Sequence, residues 1–398
     1  MENWSFSAYN KENWISKLTK ELNDRFNRTI YINPFDKIEI DLTNLNSTLT
    51  FNHNSVDQSY LNGFKIMVYD EQHANKVALE LLSFGVQTLW FVIKKTALDK
   101  DILFKNINLE YITTFIETTT ELENWQNYVV KNELESIFIK GVLNTHFINA
   151  HEIREIGGSN IIQNAYALLE LNEILSEFDF EESHTILLTT ATSGDFLLDI
   201  SNVLALRLIV NEMINKYNAK NVKVLIASTI SHFNKNYSNH ERNLVRLTVE
   251  ALSSKLGNAD FIINLPWQLQ NKTEVNLKEA QDMINAVHIL MNESSLHAKV
   301  NLINGTVILD ELCHQIIKNT WDIFLDLHQL NKKDWIKEIQ NLIQLNKSML
   351  IESFRKKELR LIGINMFEDN RPSKSTVSEE MKFINLKYFK FENIQYEN

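Results

Sequence analysis

From residue 64 onward the chain alternates short runs of β-branched and aromatic residues with longer stretches of helical period. This limits its possible folds more than any other feature. The runs are FKIMVYD (64–70), TLWFVI (88–93), YITTFIE (111–117), SIFIKGV (136–142), HTILLTTA (184–191), VKVLIAST (222–229), ADFIINLPW (259–267) and a weaker eighth, HAKVNLI (297–303). Eight such runs, each leading into a helical stretch, predict an α/β fold in which parallel strands close into a (β/α)8 TIM barrel rather than an open sheet. The helices should form an outer ring with one buried face each. After residue 158, Ile161, Ala165, Leu168, Leu171, Leu175 and Phe178 recur at that spacing, with Glu170, Glu173 and Glu177 in other directions.

The pattern divides the chain into an arm (1–60), a barrel (61–370) and a tail (371–398). The arm carries the helical stretch WISKLTKELNDRF with Trp14, Leu18, Leu22 and Phe26 on one side, a face to be buried on the barrel or on a partner subunit. The tail runs from the polar RPSKSTVSEE into FINLKYFKFENIQYEN, whose aromatic residues suit contact with another chain. No second α/β domain is read after the barrel.

Composition removes several function classes. A net charge of −11 and a pI near 5.6 speak against a DNA or other nucleic-acid groove and against an anionic membrane surface. No basic and apolar leader opens the chain, and the most apolar stretch, ALELLSFGVQTLWFVI, is broken by Glu80, Ser83 and Gln87; a cytoplasmic location is expected. The single cysteine, Cys313, excludes an internal disulfide and reads as a buried small apolar residue. With nine glycines and three prolines there is no glycine-rich phosphate loop of either common spacing.

One stretch raises a chemical question. HEIREIGG (151–158) sets His151, Glu152 and Glu155 close together, as some metal or acid/base sites begin, but no second histidine stands near. It reads as a charged turn facing a loop or the surface. Thr189, Thr190, Ser193, Asp195 and Ser228 fall at predicted strand ends, where a barrel enzyme would hold its ligand.

Five segments, in order, resemble the barrel domain of the methylmalonyl-CoA mutase family, in particular its small subunit. DEQHANKVALELLSFG is similar to the family's A-N-x-x-x-L-x-x-L-x-x-G unit, and REIGGSNIIQNAYALLELNEIL to its E-x-G-x-x-x-x-x-E-x-A-[FY]-x-L-x-x-x-x-E-Y-L helix, with Ile174 in place of the usual Tyr. NHERNLVRLTVEALSSKLGNADFIINLPW keeps Asn243, Arg246, Glu250 and Ala251. NAVHILMNESSL keeps Asn285, Leu290, Glu293 and Ser294, and RKKELRLIGINMF keeps Arg355, Gly363, Asn365 and Phe367. The resemblance covers about residues 12–370.

The departures fall on the family's functional positions. Where catalytic members carry Tyr-His, the His hydrogen-bonding the migrating thioester carbonyl, this chain has His151 and Glu152; a carboxylate there would oppose charge developing on that oxygen. The glycine turn D-P-[AG]-G-G-S falls on residues 301–306, from Asn301 to Thr306, with Gly305 its one surviving glycine. The K-x-R-A-x-R helix start keeps only Arg207, with Asn202 and Leu204 in place of two cations. The resemblance therefore implies a small, non-catalytic subunit with no cofactor of its own, paired as a heterodimer with a large subunit that carries adenosylcobalamin and interconverts methylmalonyl-CoA and succinyl-CoA. The retained Asn243, Arg246, Glu293, Ser294, Arg355 and Asn365 would then be structural or interfacial. A stand-alone divergent barrel enzyme, or a CoA-thioester-binding module, is the alternative. Because FKIMVYD, TLWFVI and ADFIINL put large side chains on both faces, the barrel axis is expected to be filled, with no CoA channel.

Overall fold

The computed structural model describes residues 11–22, 29–41, 61–118, 120–134, 136–142, 144–177, 181–236, 239–266, 275–294, 296, 303, 305–367 and 382–394. The chain begins with α1 (Lys11–Leu22) and an antiparallel hairpin of β1 (Thr29–Asn33) and β2 (Ile38–Asp41). Then β3 (Leu61–Val68), α2 (Glu71–Ser83), β4 (Thr88–Ile93), α3 (Lys100–Leu103), β5 (Thr113–Glu117), α4 (Leu122–Lys131) and β6 (Ile137–Ile139) build the first half of the barrel. The second half is β7 (Thr145–Ile148), α5 (His151–Glu155), α6 (Asn160–Glu177), β8 (His184–Ala191), α7 (Phe196–Lys216), β9 (Val222–Thr229), α8 (His240–Leu256) and β10 (Phe261–Asn264). Three helices follow, α9 (Leu277–Asn292), α10 (Val307–Leu327) and α11 (Lys332–Arg355). A short hairpin, β11 (Lys382–Phe383) and β12 (Leu386–Lys387), leads to α12 (Phe391–Ile394).

Eight parallel strands run in chain order around a nearly closed barrel, with β10 paired to β3. The gap lies between β6 and β7, which are joined by residues 140–144 and a bond from Gly141 N–H to Thr145 O of 2.9 Å. A parallel crossover normally needs a dozen or more residues, usually a helix. Strands of three and four residues leave so little height to recover that five residues suffice. This corrects the strand assignment: β7, absent from the sequence reading, holds a barrel position, while most of the expected eighth strand (297–303) lies outside the described residues.

The barrel's outward residues, such as Phe64, Ile66, Phe91 and Ile262, pack under α2 and α9, and Ile148, Ile186 and Ile226 under α6 and α7. The first half of α6 is buried on all sides rather than on one, because α10 and α11 form a second layer over it through Leu312, Ile316, Trp335 and Ile339. Cys313 lies in this layer, and burial pushes its thiol up to about 12. The arm hairpin docks there too: Asp36 accepts from Ile161 N–H at 2.9 Å and Tyr31 donates to Asp195 at 2.6 Å.

Two expectations about the ends meet different outcomes. The tail packs on its own barrel, with Phe389, Phe391 and Ile394 buried against Phe233, Leu350 and Phe354. In α1, Trp14 is 41 % exposed and Leu18 half-buried, so its apolar side is not buried on the barrel; Phe26 lies outside the described residues. Among the described residues no helix is long and apolar enough to cross a membrane.

Candidate functional site

Inward residues alternate with outward ones along each strand, so the barrel interior can be followed layer by layer. The middle is filled. Trp90, Phe115, Phe147 and Phe261 are all buried, with ring centroids 5.0 to 6.1 Å apart, and Leu187, Leu225 and Ile263 close the gaps between them. At Gly63 there is no room for a side chain, since a Cβ would stand 2.5 Å from Ile263 Cδ1. The expected filled axis is thus present through these layers, with no passage for a pantetheine arm between Trp90 and Phe115.

Above that layer the inward positions become polar. Lys65 on β3 stands 4.6 Å over the Trp90 ring, and its Nζ lies 3.3 Å from His151 Nε2 and 3.8 Å from Glu152 Oε1. The hydrogen bonds fix the tautomer of His151. Thr189 Oγ1 donates to Ile148 O, so it accepts at 2.7 Å from His151 Nδ1–H; that leaves Nε2 as the acceptor for Lys65. Burial and the neighbouring Lys65 hold His151 well below the usual histidine range. Beside it Glu117 accepts from Asn149 at 2.6 Å and faces Lys140 at 3.9 Å. Deeper along α5, Glu155 accepts from Ser231 and from His232 N–H, both at 3.0 Å, and His232 Nε2 donates to Pro266 O at 2.7 Å. The tail crosses here, Phe389 N–H bonding Glu155 O at 2.7 Å and Phe391 N–H bonding Phe233 O at 3.1 Å.

HEIREIGG is therefore not at the surface, which corrects one half of the sequence reading, while Glu155 does face the loop after β9. His151 is 1 % exposed, and Glu152 and Glu155 are turned into the barrel end. The segment is short, closed by Gly157 at φ +101°, and its first turn sits on the end of β7.

Burial pushes the Glu152 carboxyl up to about 7 from an ordinary 4.5, the pull of Lys65 being too weak to offset it. A raised carboxyl pKa costs stability once the unfolded chain ionises, so the penalty is absent below about pH 4.5 and complete above about pH 7. Glu152→Gln is expected to match the parent near pH 4.5 and to be about 3 kcal/mol more stable near pH 8, measured by urea unfolding across that range. Equal stability at the two ends would show that Glu152 stays charged and paired throughout.

The other singled-out residues are spread over the structure. Thr189 belongs to the cluster, but Thr190 accepts from Gln163 and Asn202, Ser193 donates to Asp199, Asp195 caps α7, and Ser228 bonds Ser254. They do not line one pocket. Asn202 also accepts from Asn164, and Leu204 is in the core under α10. Asn243 ties the loop before α8 through Asn236 N–H at 2.8 Å, and Arg246 reaches Ile362 O at 2.6 Å. Asn365 holds its turn by bonds to Leu361, Phe354 and Leu359. Glu293 and Ser294 are exposed at the end of α9, and Arg355 is exposed at the end of α11. Gly305 takes a left-handed φ of +79° with open space around it, while Asn301 lies outside the described residues.

Comparison with known proteins now decides the family. The family model described as methylmalonyl-CoA mutase matches residues 96–395, from the loop after β4 into the tail. The chain belongs to the methylmalonyl-CoA mutase family. A methylmalonyl-CoA mutase small subunit from Porphyromonas gingivalis (strain ATCC BAA-308 / W83) is 21 % identical over 392 residues, covering 81 % of this chain and 63 % of that relative. The chain thus spans less than two thirds of that relative's length. Glu152 faces Lys65 at 3.8 Å, and residues 389–391 run from Glu155 O to Phe233 O beside it. The histidines there, His151 and His232, are buried and hold Lys65 and Pro266 O.

Proposed function

We propose that this chain is the small, non-catalytic subunit of a heterodimeric, adenosylcobalamin-dependent methylmalonyl-CoA mutase. Its role is to stabilise a large subunit that isomerises methylmalonyl-CoA to succinyl-CoA and carries the cofactor. The observation that carries this reading is the filled axis: Trp90, Phe115, Phe147 and Phe261 occupy the line a CoA arm would follow. Two others support it. Glu152, where catalytic members have a histidine, stands against Lys65 rather than open to a substrate carbonyl. The apolar side of α1, with Trp14 exposed, is left for another subunit to cover. The similarity to a relative named as a small subunit points the same way.

Titration calorimetry of the isolated chain with CoA, methylmalonyl-CoA and succinyl-CoA tests the reading. No saturable heat is expected at millimolar ligand. Saturable binding of any of them would favour the alternative of a stand-alone barrel enzyme or CoA-thioester module.

A further inference from the structure

A cavity of about 490 Å³, open to solvent, lies between the loop that leads into β5 and the turn that leads from α4 into β6. That size is within the usual range of small-ligand pockets, about 300 to 1,000 Å³. It sits at the end of the barrel where strands begin, whereas Glu152 follows the far end of β7. Its walls are pinned. On one side Asn75 donates from its amide to Leu103 O at 2.8 Å and to Lys105 O at 2.9 Å, holding the turn in which Asn106 takes a left-handed φ of 62°. On the other side Asn132 closes α4 by giving its amide to Tyr128 O at 2.7 Å, and Leu134 N–H bonds Val129 O at 3.2 Å.

The lining divides by polarity. Ile107 and Leu109, 8 % and 7 % exposed, line the cavity together with Leu134 and with Tyr128, whose ring leans on Phe104. The exposed lining residues are three carboxamides and Glu110. Among the described residues that line it, Glu110 is the one charged group, and its carboxylate has neither a hydrogen bond nor an ion pair with another described residue. Asn108 Oδ1 accepts from Glu110 N–H at 3.3 Å, and Asn132 donates its amide to Tyr128 O, which leaves Asn132 Oδ1 and Asn106 Oδ1 as further acceptors. The field there is negative. Helix α4 ends at the cavity with its negative pole, and Asp101 stands near enough to Tyr128 to add to burial in raising its phenol above the ordinary range. Lys105 and Lys131 do not line the cavity, and Lys100 is held over the Trp125 ring at 4.7 Å. Acceptors around an apolar base, with one negative charge, suit a cation that carries an apolar body.

We propose that this cavity binds a small organic ammonium ion, its charged head against Glu110 and the Asn106 and Asn132 side-chain oxygens and its alkyl part on Ile107, Leu109 and Leu134. The site goes beyond the subunit role and does not depend on a partner chain.

The test is saturation-transfer NMR on the full chain near pH 7 with butylammonium, butanol and butyrate, three probes of one shape and different charge. Saturable binding of butylammonium is expected, with butanol weaker by about tenfold or more and butyrate not bound. Glu110→Gln should weaken butylammonium by about tenfold, the loss of one charge-assisted contact, and Glu110→Lys should abolish its binding. Both variants should keep the parent's urea midpoint, because Glu110 is exposed. Equal affinity for butanol, saturable binding of butyrate, or butylammonium affinity unchanged in Glu110→Lys would overturn the site, as would signals that never saturate.

Discussion

Glu250→Ala is expected to destabilise the chain by about 3 to 5 kcal/mol, among the largest losses any single substitution here should produce. The reason is local. Glu250 on α8 takes both of its carboxylate oxygens to Lys235 Nζ, at 2.7 and 2.8 Å, with side chains 0 % and 1 % exposed. Asn234 closes the group, donating to Glu250 at 2.8 Å and accepting from Lys235 at 2.7 Å. Truncating the carboxylate leaves an ammonium buried beside one amide oxygen, and the loop that carries His232 and Phe233 over the barrel mouth loses its anchor. The pair as a whole is a different matter: the double change Lys235→Met with Glu250→Leu removes both charges and should recover most of the loss. Urea unfolding of the parent, each single variant and the double measures this directly. A single-variant loss below about 1 kcal/mol would place the pair in the weak class of solvated surface ion pairs.

Trp90→Ala is the second large effect, also about 3 to 5 kcal/mol, from lost burial and a cavity that rigid β-barrel walls cannot collapse into. Trp90 touches Phe115, Phe147, His151 and Lys65 at once, so its removal also takes away the floor of the polar layer. Trp90→Phe should cost far less, since most of the contact area remains. Thermal and urea unfolding of both variants would check the order. If alanine is tolerated with a loss below about 1 kcal/mol, the axis is looser than the packing of these rings implies.

Much of this arrangement was legible in the residues, and the parts that were not have physical causes. Strands β4, β8 and β9 fall where TLWFVI, HTILLTTA and VKVLIAST put them, because continuous apolar runs bounded by helical periods can scarcely be anything else. Strand β7 escaped notice because Thr145–Ile148 is only four residues long and no helix separates it from β6. The filled axis could be foreseen because FKIMVYD and TLWFVI are bulky on both faces. The polar cluster could not: in a strand buried on both sides alternation is hidden, so nothing in the sequence says that Lys65 points inward, or that it meets residues 86 positions away at His151. The same blindness left HEIREIGG readable as a turn facing the surface or a loop, since a local charge pattern does not reveal that a barrel end lies over it. The tail's aromatic residues were a sound sign of burial, but the partner turned out to be the chain's own Phe233 and Phe354.

Co-expression with the large methylmalonyl-CoA mutase subunit from the same genome is the most direct test of the subunit role. The expected result is stable co-purification of the two chains at one-to-one stoichiometry, with α1 protected in the complex. A chain that purifies alone as a well-behaved monomer or homodimer, unaffected by the large subunit, would contradict that role.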